Sequence, residues 1–370
     1  MKDRYAFIPQ MRPMFGVEEK RALMEYMDED GFITEYKRTE QFEGMIAEFT
    51  GARHCIVVNN GTISLTLAAL ALGIGFGDEV IVPNYTMIAT PNSVKLIGAV
   101  PVFVDVEPRS LCLDLKLVKR AITSRTKAII LVSANGRYPS SPISEFELLC
   151  KEKGLWLIED AAQSLGSQYP DGRHIGTAGI VGSFSFSSPK IISTGQGGAL
   201  ITNDDNLAYK LRRLKDFGRT SGGSDLHESI GFNFKFTELQ ACIGIEQMRK
   251  LPKRIERKKQ LWTKYSELLD GVCGIRLFSH DLRYTVPWFV DSITEKRESL
   301  IRFLSEHGVG TRVMYPPVNK QRCYNSTGEF EVSNAIGHTG LWLPSSVQLT
   351  DVDIVRVCNV ITKFYSNSNQ

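Results

Sequence analysis

The sequence predicts an α/β protein, with a large, mostly parallel sheet domain over residues 1–249 and a smaller α/β domain over 250–370. Three observations carry this expectation. Short apolar strands alternate with helical stretches up to about residue 245. Those strands are apolar along their whole length, as in a parallel sheet covered on both faces. Beyond a basic stretch near residue 250 the pattern changes. A chain of 370 residues also allows about two domains at roughly 150 residues each.

The elements follow in order. "HCIVVNNG" at 54–61 reads as a buried strand ending in a turn, and "TISLTLAALALGI" at 62–74 as the helix after it. "GDEVIVP" at 77–83 and "AVPVFVDV" at 99–106 are the next strands. "KAIILVS" at 127–133 and "LWLIEDA" at 155–161 come next, each behind a helix-like segment, and then "GSFSFSS" at 182–188 and "GALITN" at 198–203. "EQMRKLPKRIERKKQLWTKYSELL" at 246–269 reads as a basic, solvent-exposed helix with a kink at Pro252. "ESLIRFLSEHGVGTRVMYPPV" and "DVDIVRVCNVITKFY" supply the smaller domain. In sheets of this kind ligands sit beyond the carboxyl ends of the strands, so the polar residues there are the candidates.

Composition narrows the function classes. With 44 basic and 41 acidic residues, the net charge of +3 is too balanced to favour nucleic acid or an anionic membrane surface. Seven scattered cysteines contain no C-x-x-C pair, and the six histidines lack ligand spacing, so neither a disulfide framework nor a metal site is expected. Reduced thiols fit a cytoplasmic enzyme. "MKDRYAFIPQMRP" has no apolar core of signal-peptide length, and no apolar run approaches the roughly 20 residues of a membrane span.

Three features fall at strand ends. "NNGT" (Asn59 to Thr62) lies between a strand and a helix, where glycine admits close backbone approach and free N–H groups favour an anion. A helix capped by Asn60 or Thr62 accounts for the same residues. Asp160 ends the strand "LWLIED" and can pair with a buried cation such as a protonated ring nitrogen; a helix cap is the plainer role. Lys190 lies 30 residues on (190 − 160), among apolar neighbours that lower its pKa and suit it to Schiff-base formation; a snorkelling lysine is the alternative. Together, a phosphate turn, a carboxylate and a lysine match the three handles of pyridoxal phosphate.

The chain at this point resembles the DegT family of sugar aminotransferases, within the fold-type-I pyridoxal-phosphate enzymes. The resemblance spans essentially the whole chain. It is densest in "NNGTISLTLAALALGIGFGDEVIVP", "TPNSVKLIGAVPVFVDV", "IEDAAQSLGSQY", "GSFSFSSPKIISTGQGGALITND" and "IGFNFKFTELQACIGIEQM". It is nearest to the branch that aminates nucleotide-linked 4-keto-6-deoxy sugars. The resemblance implies that Lys190 forms the Schiff base and shuttles the proton, and that Asp160 holds the ring nitrogen protonated. Gln163 would contact the ring's phenolic oxygen. Gly61, Thr62 and Ser185 would cradle the phosphate, and Asn233 would reach it from a neighbouring subunit, which implies a homodimer with shared sites. Thr34 and Asn319 would lie on the substrate side. L-glutamate would be the amino donor and a nucleotide-linked keto sugar the acceptor, for an amino sugar of a surface polysaccharide.

The chain also departs from the family pattern. Where relatives carry an aromatic ring over the cofactor, "PNYTMIAT" places Met87, whose thioether can cover a ring face, with Tyr85 two residues off. The family's "H-x-Y-G" reads Ser133-Ala134-Asn135-Gly136, and a late "P-V-H" reads Pro317-Val318-Asn319. Rival expectations are a pyridoxal-phosphate dehydratase, a cyclitol aminotransferase and a non-catalytic sensor. Dehydratases of the family carry histidine at the lysine position, so Lys190 favours amino transfer.

Overall fold

The computed structural model describes residues 6–220 and 225–367; the first five residues of the N-terminal segment and the last three of the chain lie outside them. The strands are β1 (His54–Val58), β2 (Glu79–Pro83), β3 (Val100–Val104), β4 (Thr126–Val132), β5 (Trp156–Asp160), β6 (Val181–Ser185) and β7 (Gly198–Thr202), then β8 (Arg276–Leu277), β9 (Val290–Ile293), β10 (Arg312–Val313) and β11 (Gly340–Leu343). The helices are α1 (Val17–Asp28), α2 (Lys37–Thr50), α3 (Gly61–Ala71), α4 (Ala89–Lys95), α5 (Leu115–Ala121), α6 (Ile143–Lys153), α7 (Asp205–Lys215), α8 (Glu238–Leu268), α9 (Arg297–Glu306), α10 (Glu331–Thr339) and α11 (Asp351–Asn367).

Strands β1 to β7 form one sheet in the order β1-β7-β6-β5-β4-β2-β3. Neighbours from β6 through β3 run parallel, and β7 runs antiparallel to both of its neighbours. Period-two alternation explains why these strands carry apolar residues throughout. Cys55 and Val57 of β1 join a core with α2, α6 and α8, whereas Ile56 and Val58 join a second core with α3 and α7. Both faces of the strand are therefore buried. No helix among the described residues is long and apolar enough to cross a membrane.

The second sheet is antiparallel, in the order β10-β11-β9-β8. Its core joins Leu300 and Leu304 of α9 and Ile354, Val357 and Ile361 of α11 to Leu261 and Tyr265 from the far half of α8. Helix α8 runs through residue 250 and through Pro252, with its first half packed on α1 and α2. The expected solvated face of this basic stretch needs correction. Arg254 and Lys258 are buried. Arg254 donates to the carbonyl of Ile191 at 2.8 Å and to that of Met14 at 2.9 Å. Lys258 Nζ donates to the carbonyls of Trp288 and Ser345, each at 2.6 Å. Carbonyls brought in from distant loops solvate these cations, so their sequence neighbours do not reveal their burial.

Two buried contacts tie the sheets together. Arg137, just beyond β4, meets Asp291 of β9 at 2.7 Å. Asp105, just beyond β3, accepts from the amides of Val332 and Ser333 at 2.8 and 3.0 Å, so it caps the first turn of α10.

Candidate active site

A cavity of about 560 Å³ opens at the carboxyl ends of the large sheet. Its wall includes Gly61 and Thr62 after β1, Met87 after β2, Asp160 at the end of β5, Ser185 at the end of β6, and Lys190. Gln163 lines it as well. The parallel topology explains the convergence, because every strand-to-helix turn of such a sheet opens on the same edge.

The start of α3 opens on this cavity. Asn60 caps the helix: its side chain accepts from the Ile63 amide at 2.9 Å, and its carbonyl from Ser64. The amides of Gly61 and Thr62 are left without intrahelical acceptors. A Cβ at Gly61 would come 2.8 Å from the Cβ of Ser185, so glycine is required for the β6 end to approach. Asn60 is thus the cap of α3, and the turn it closes lies on the cavity wall.

Asp160 is buried and accepts from the Thr90 hydroxyl at 2.7 Å and the Ala162 amide at 3.2 Å. Burial pushes its carboxyl above the usual range; Thr90, Ala162 and the charge of Lys190 pull it back. It caps no helix, because a turn follows β5. Its neighbour Glu159 faces the opposite way and accepts from the Tyr169 hydroxyl and the Gly176 and Gly179 amides, at 2.6, 2.8 and 2.6 Å. One carboxylate organises the interior, and the other faces the cavity.

Lys190 is half-buried, with Nζ 4.2 Å from the ring centre of Trp288. Burial brings it down to about 8, opposed by Asp160 and assisted by the charge of Arg312. The Trp288 indole donates to the carbonyl of Pro189 at 2.7 Å and so fixes the residue before the lysine. A larger share of free amine is therefore present near neutral pH than an exposed lysine offers.

Met87 faces the cavity, whereas Tyr85 is buried in a cluster with Phe289, Met314 and Trp342. Three expected site residues lie off the cavity wall. Asn319 is buried, exchanging hydrogen bonds with Asn84 at 2.9 Å each way and donating to the Ser326 carbonyl at 3.3 Å. Thr34 is exposed and bridges to Thr237, and Asn233 is exposed and bridges to Asp216. Asn135, at the family's tyrosine position, has φ +55° and pairs both ways with the Phe289 backbone. Its amide donates to the Gln163 side chain at 2.6 Å, which orients that residue at the cavity. Trp288, Arg312 and Tyr315 also line the cavity but were not among the expected residues. They arrive from the smaller unit, and nothing in their local sequence marks them.

The fold is α/β, and its cavity brings a lysine and a buried carboxylate to one wall. Residues 14–362 match the model of the DegT/DnrJ/EryC1/StrS aminotransferase family. The chain is 33% identical over 367 residues to GDP-perosamine synthase of Vibrio cholerae, covering 97% of this chain and 99% of that protein. Among solved structures, the aminotransferase TlmJ from Streptoalloteichus hindustanus superposes with a TM-score of 0.92 at 30% identity, covering 98% of this chain and all (100%) of that one. DesV from S. venezuelae, solved in complex with a ketimine intermediate, gives 0.90 at 31% identity, covering 98% and 99%. The chain belongs to the DegT/DnrJ/EryC1/StrS aminotransferase family. It is an aminotransferase with that family's α/β fold.

Proposed function

We propose that the chain transfers the amino group of L-glutamate to a nucleotide-linked keto sugar, with a 4-keto-6-deoxyhexose as acceptor, in the cytoplasm and as a homodimer. The observation that carries this reading is the convergence of Lys190, Asp160 and the Gly61–Thr62 turn on one cavity. The similarity to a GDP-perosamine synthase supports the nucleotide-sugar acceptor.

The residues present fit pyridoxal phosphate. The turn that a Cβ at Gly61 would fill suits its phosphate. The buried Asp160 carboxyl, with no basic side chain in hydrogen-bond contact among the described residues, suits a protonated ring nitrogen. Lys190 suits its aldehyde. When bound, this cofactor supplies the electron sink that amino transfer requires.

The chain's own groups do the rest. Asp160 would hold a proton on the ring nitrogen, because a cation beside it offsets the cost of keeping its carboxylate buried. Lys190 Nζ, brought down to about 8, would take the proton from the carbon that bears the amine and return it to the carbon on the other side of the same nitrogen. Gln163, fixed by the Asn135 amide, presents its carboxamide to the same cavity. Trp288 covers one side of Lys190. Asn233 and Thr34, exposed and off this cavity, are free to complete the site of a neighbouring copy.

A panel of nucleotide-linked 4-keto sugars, each supplied with L-glutamate, tests the reading. Formation of an amino sugar together with 2-oxoglutarate is expected from at least one. Glutamate that is consumed by no member of the panel, or sugar that loses a hydroxyl without gaining nitrogen, contradicts it.

A further inference from the structure

We propose that Arg312 seats the α-carboxylate of the amino donor, which makes it a specificity-determining residue for the donor half of the reaction. The inference rests on the aminotransferase reading above. Among the described residues, three charged side chains line the cavity: Asp160, Lys190 and Arg312. The first two have partners in that reading, and Arg312 is the charge left over. No carboxylate pairs with it among the described residues; its side chain lies over an aromatic ring.

An exposed arginine is ordinarily a solvated surface charge, and two features set this one apart. Its guanidinium lies over the indole of Trp342, 5.5 Å from the ring centre, and Trp342 is almost fully buried. Stacking of this kind orients the planar fork and leaves its N–H groups to face outward, the geometry that takes a carboxylate through two parallel bonds. Trp342 in turn meets Trp288 edge-on at 5.8 Å, and Trp288 carries Lys190 Nζ at 4.2 Å. Arg312 and Lys190 thus flank one aromatic wall, close enough for the charge of Arg312 to add to burial in lowering Lys190.

That proximity selects the ligand. Both substrates bring an anion to the enzyme. In an amino acid, the α-carboxylate is bonded to the carbon that carries the reacting amine. In a nucleotide-linked 4-keto sugar, the diphosphate is attached at C1, across the pyranose ring from the ketone. An anion held beside the reacting lysine therefore belongs to the donor. The same wall then serves the sugar in the second half-reaction, when the carboxylate has left as the keto acid.

The test separates the two half-reactions. Holoenzyme carrying Arg312→Gln or Arg312→Lys is mixed with L-glutamate, or in its aminated form with an accepted keto sugar, and single turnovers are followed by cofactor absorbance. With Arg312→Gln the second-order constant for glutamate should fall roughly 10- to 100-fold, the loss of charge-assisted hydrogen bonds to one carboxylate. The sugar step should fall by a clearly smaller factor, through the altered Lys190 alone, and Arg312→Lys should lie between the wild type and Arg312→Gln for glutamate, because it keeps the charge without the fork. A readout without turnover is the dissociation constant of glutarate, which should rise by a similar factor in Arg312→Gln. Cofactor absorbance and melting temperature matching wild type establish that the variants fold. An unchanged glutamate step in a folded variant overturns the proposal, and so does a loss confined to the sugar step, which would assign Arg312 to the diphosphate. Wild-type enzyme inert to glutamate removes the aminotransferase reading itself and this proposal with it.

Discussion

At the scale of single residues, the site depends on how a few side chains are desolvated. Asp160 is pushed upward by burial and restrained by one hydroxyl, one amide and a nearby ammonium. A cationic ring nitrogen would complete its surroundings; an amide in its place could not. Asp160→Asn should keep the fold and its melting temperature within a few degrees, and should lower kcat roughly 100-fold or more, as a preorganised charge is lost. Near-normal turnover in that variant would reduce Asp160 to a turn-forming residue. Met87 and Tyr85 are separated by position: Met87 lines the cavity, and Tyr85 packs against Tyr315 at 5.9 Å inside a buried cluster. Met87→Ala should therefore weaken pyridoxal phosphate binding, while Met87→Phe should hold or improve it by roughly 0.5–1.5 kcal/mol through stacking. Tyr85→Ala should instead lower the melting temperature. Dissociation constants and melting curves for the three variants check this, and the reverse pattern would give the ring-covering role to Tyr85.

Elements set the precision of the cradle. Strand β6 and the start of α3 meet where Gly61 has no side chain, and a methyl there would press on Ser185. Gly61→Ala should raise the dissociation constant for pyridoxal phosphate by at least about tenfold, because either the helix start or the strand end must move. An unchanged constant would place the anion elsewhere. This part of the site was legible in the sequence. Strand, turn and helix are local, so "NNGT" and the end of "LWLIED" could be placed beyond strand ends before any contact was known. The facing wall was not legible. Trp288 and Arg312 lie 98 and 122 residues beyond Lys190 (288 − 190 and 312 − 190), and only packing of the second sheet brings them to it. Asn319 lies off the cavity for a related reason: its partner Asn84 is 235 residues away, and no local pattern announces that pairing.

Across the whole molecule, helix α8 joins the two sheets, and Lys258 is its buried tie. Its ammonium bonds the backbone at Trp288, so the residue covering Lys190 hangs from the same helix that packs on α1 and α2. Burial, assisted by the charge of Arg254, brings Lys258 down to about 7 from an ordinary 10.5. Between those values the unfolded chain holds more protons than the folded one, so this group makes stability rise with pH across that window. Lys258→Met should flatten that slope in urea unfolding. It should also cost about 1–3 kcal/mol at about pH 8.5, where the native amine is neutral and two carbonyls lose their donor. A variant with the wild-type slope would show that Lys258 is not held as described. The "KRIERKK" run around Lys258 reads as a solvated face because charge density is visible in sequence and carbonyls folded over from other loops are not.

The attachment of pyridoxal phosphate to Lys190 bears most directly on the whole reading. Borohydride reduction of the purified holoenzyme, followed by proteolysis and mass spectrometry, locates the pyridoxyl group. The expected result is one modified peptide, with the group on Lys190 and none of it in a Lys190→Ala variant that still folds. A pyridoxyl group on any other lysine, or none after full loading with cofactor, would contradict the assignment of this cavity as the site of amino transfer.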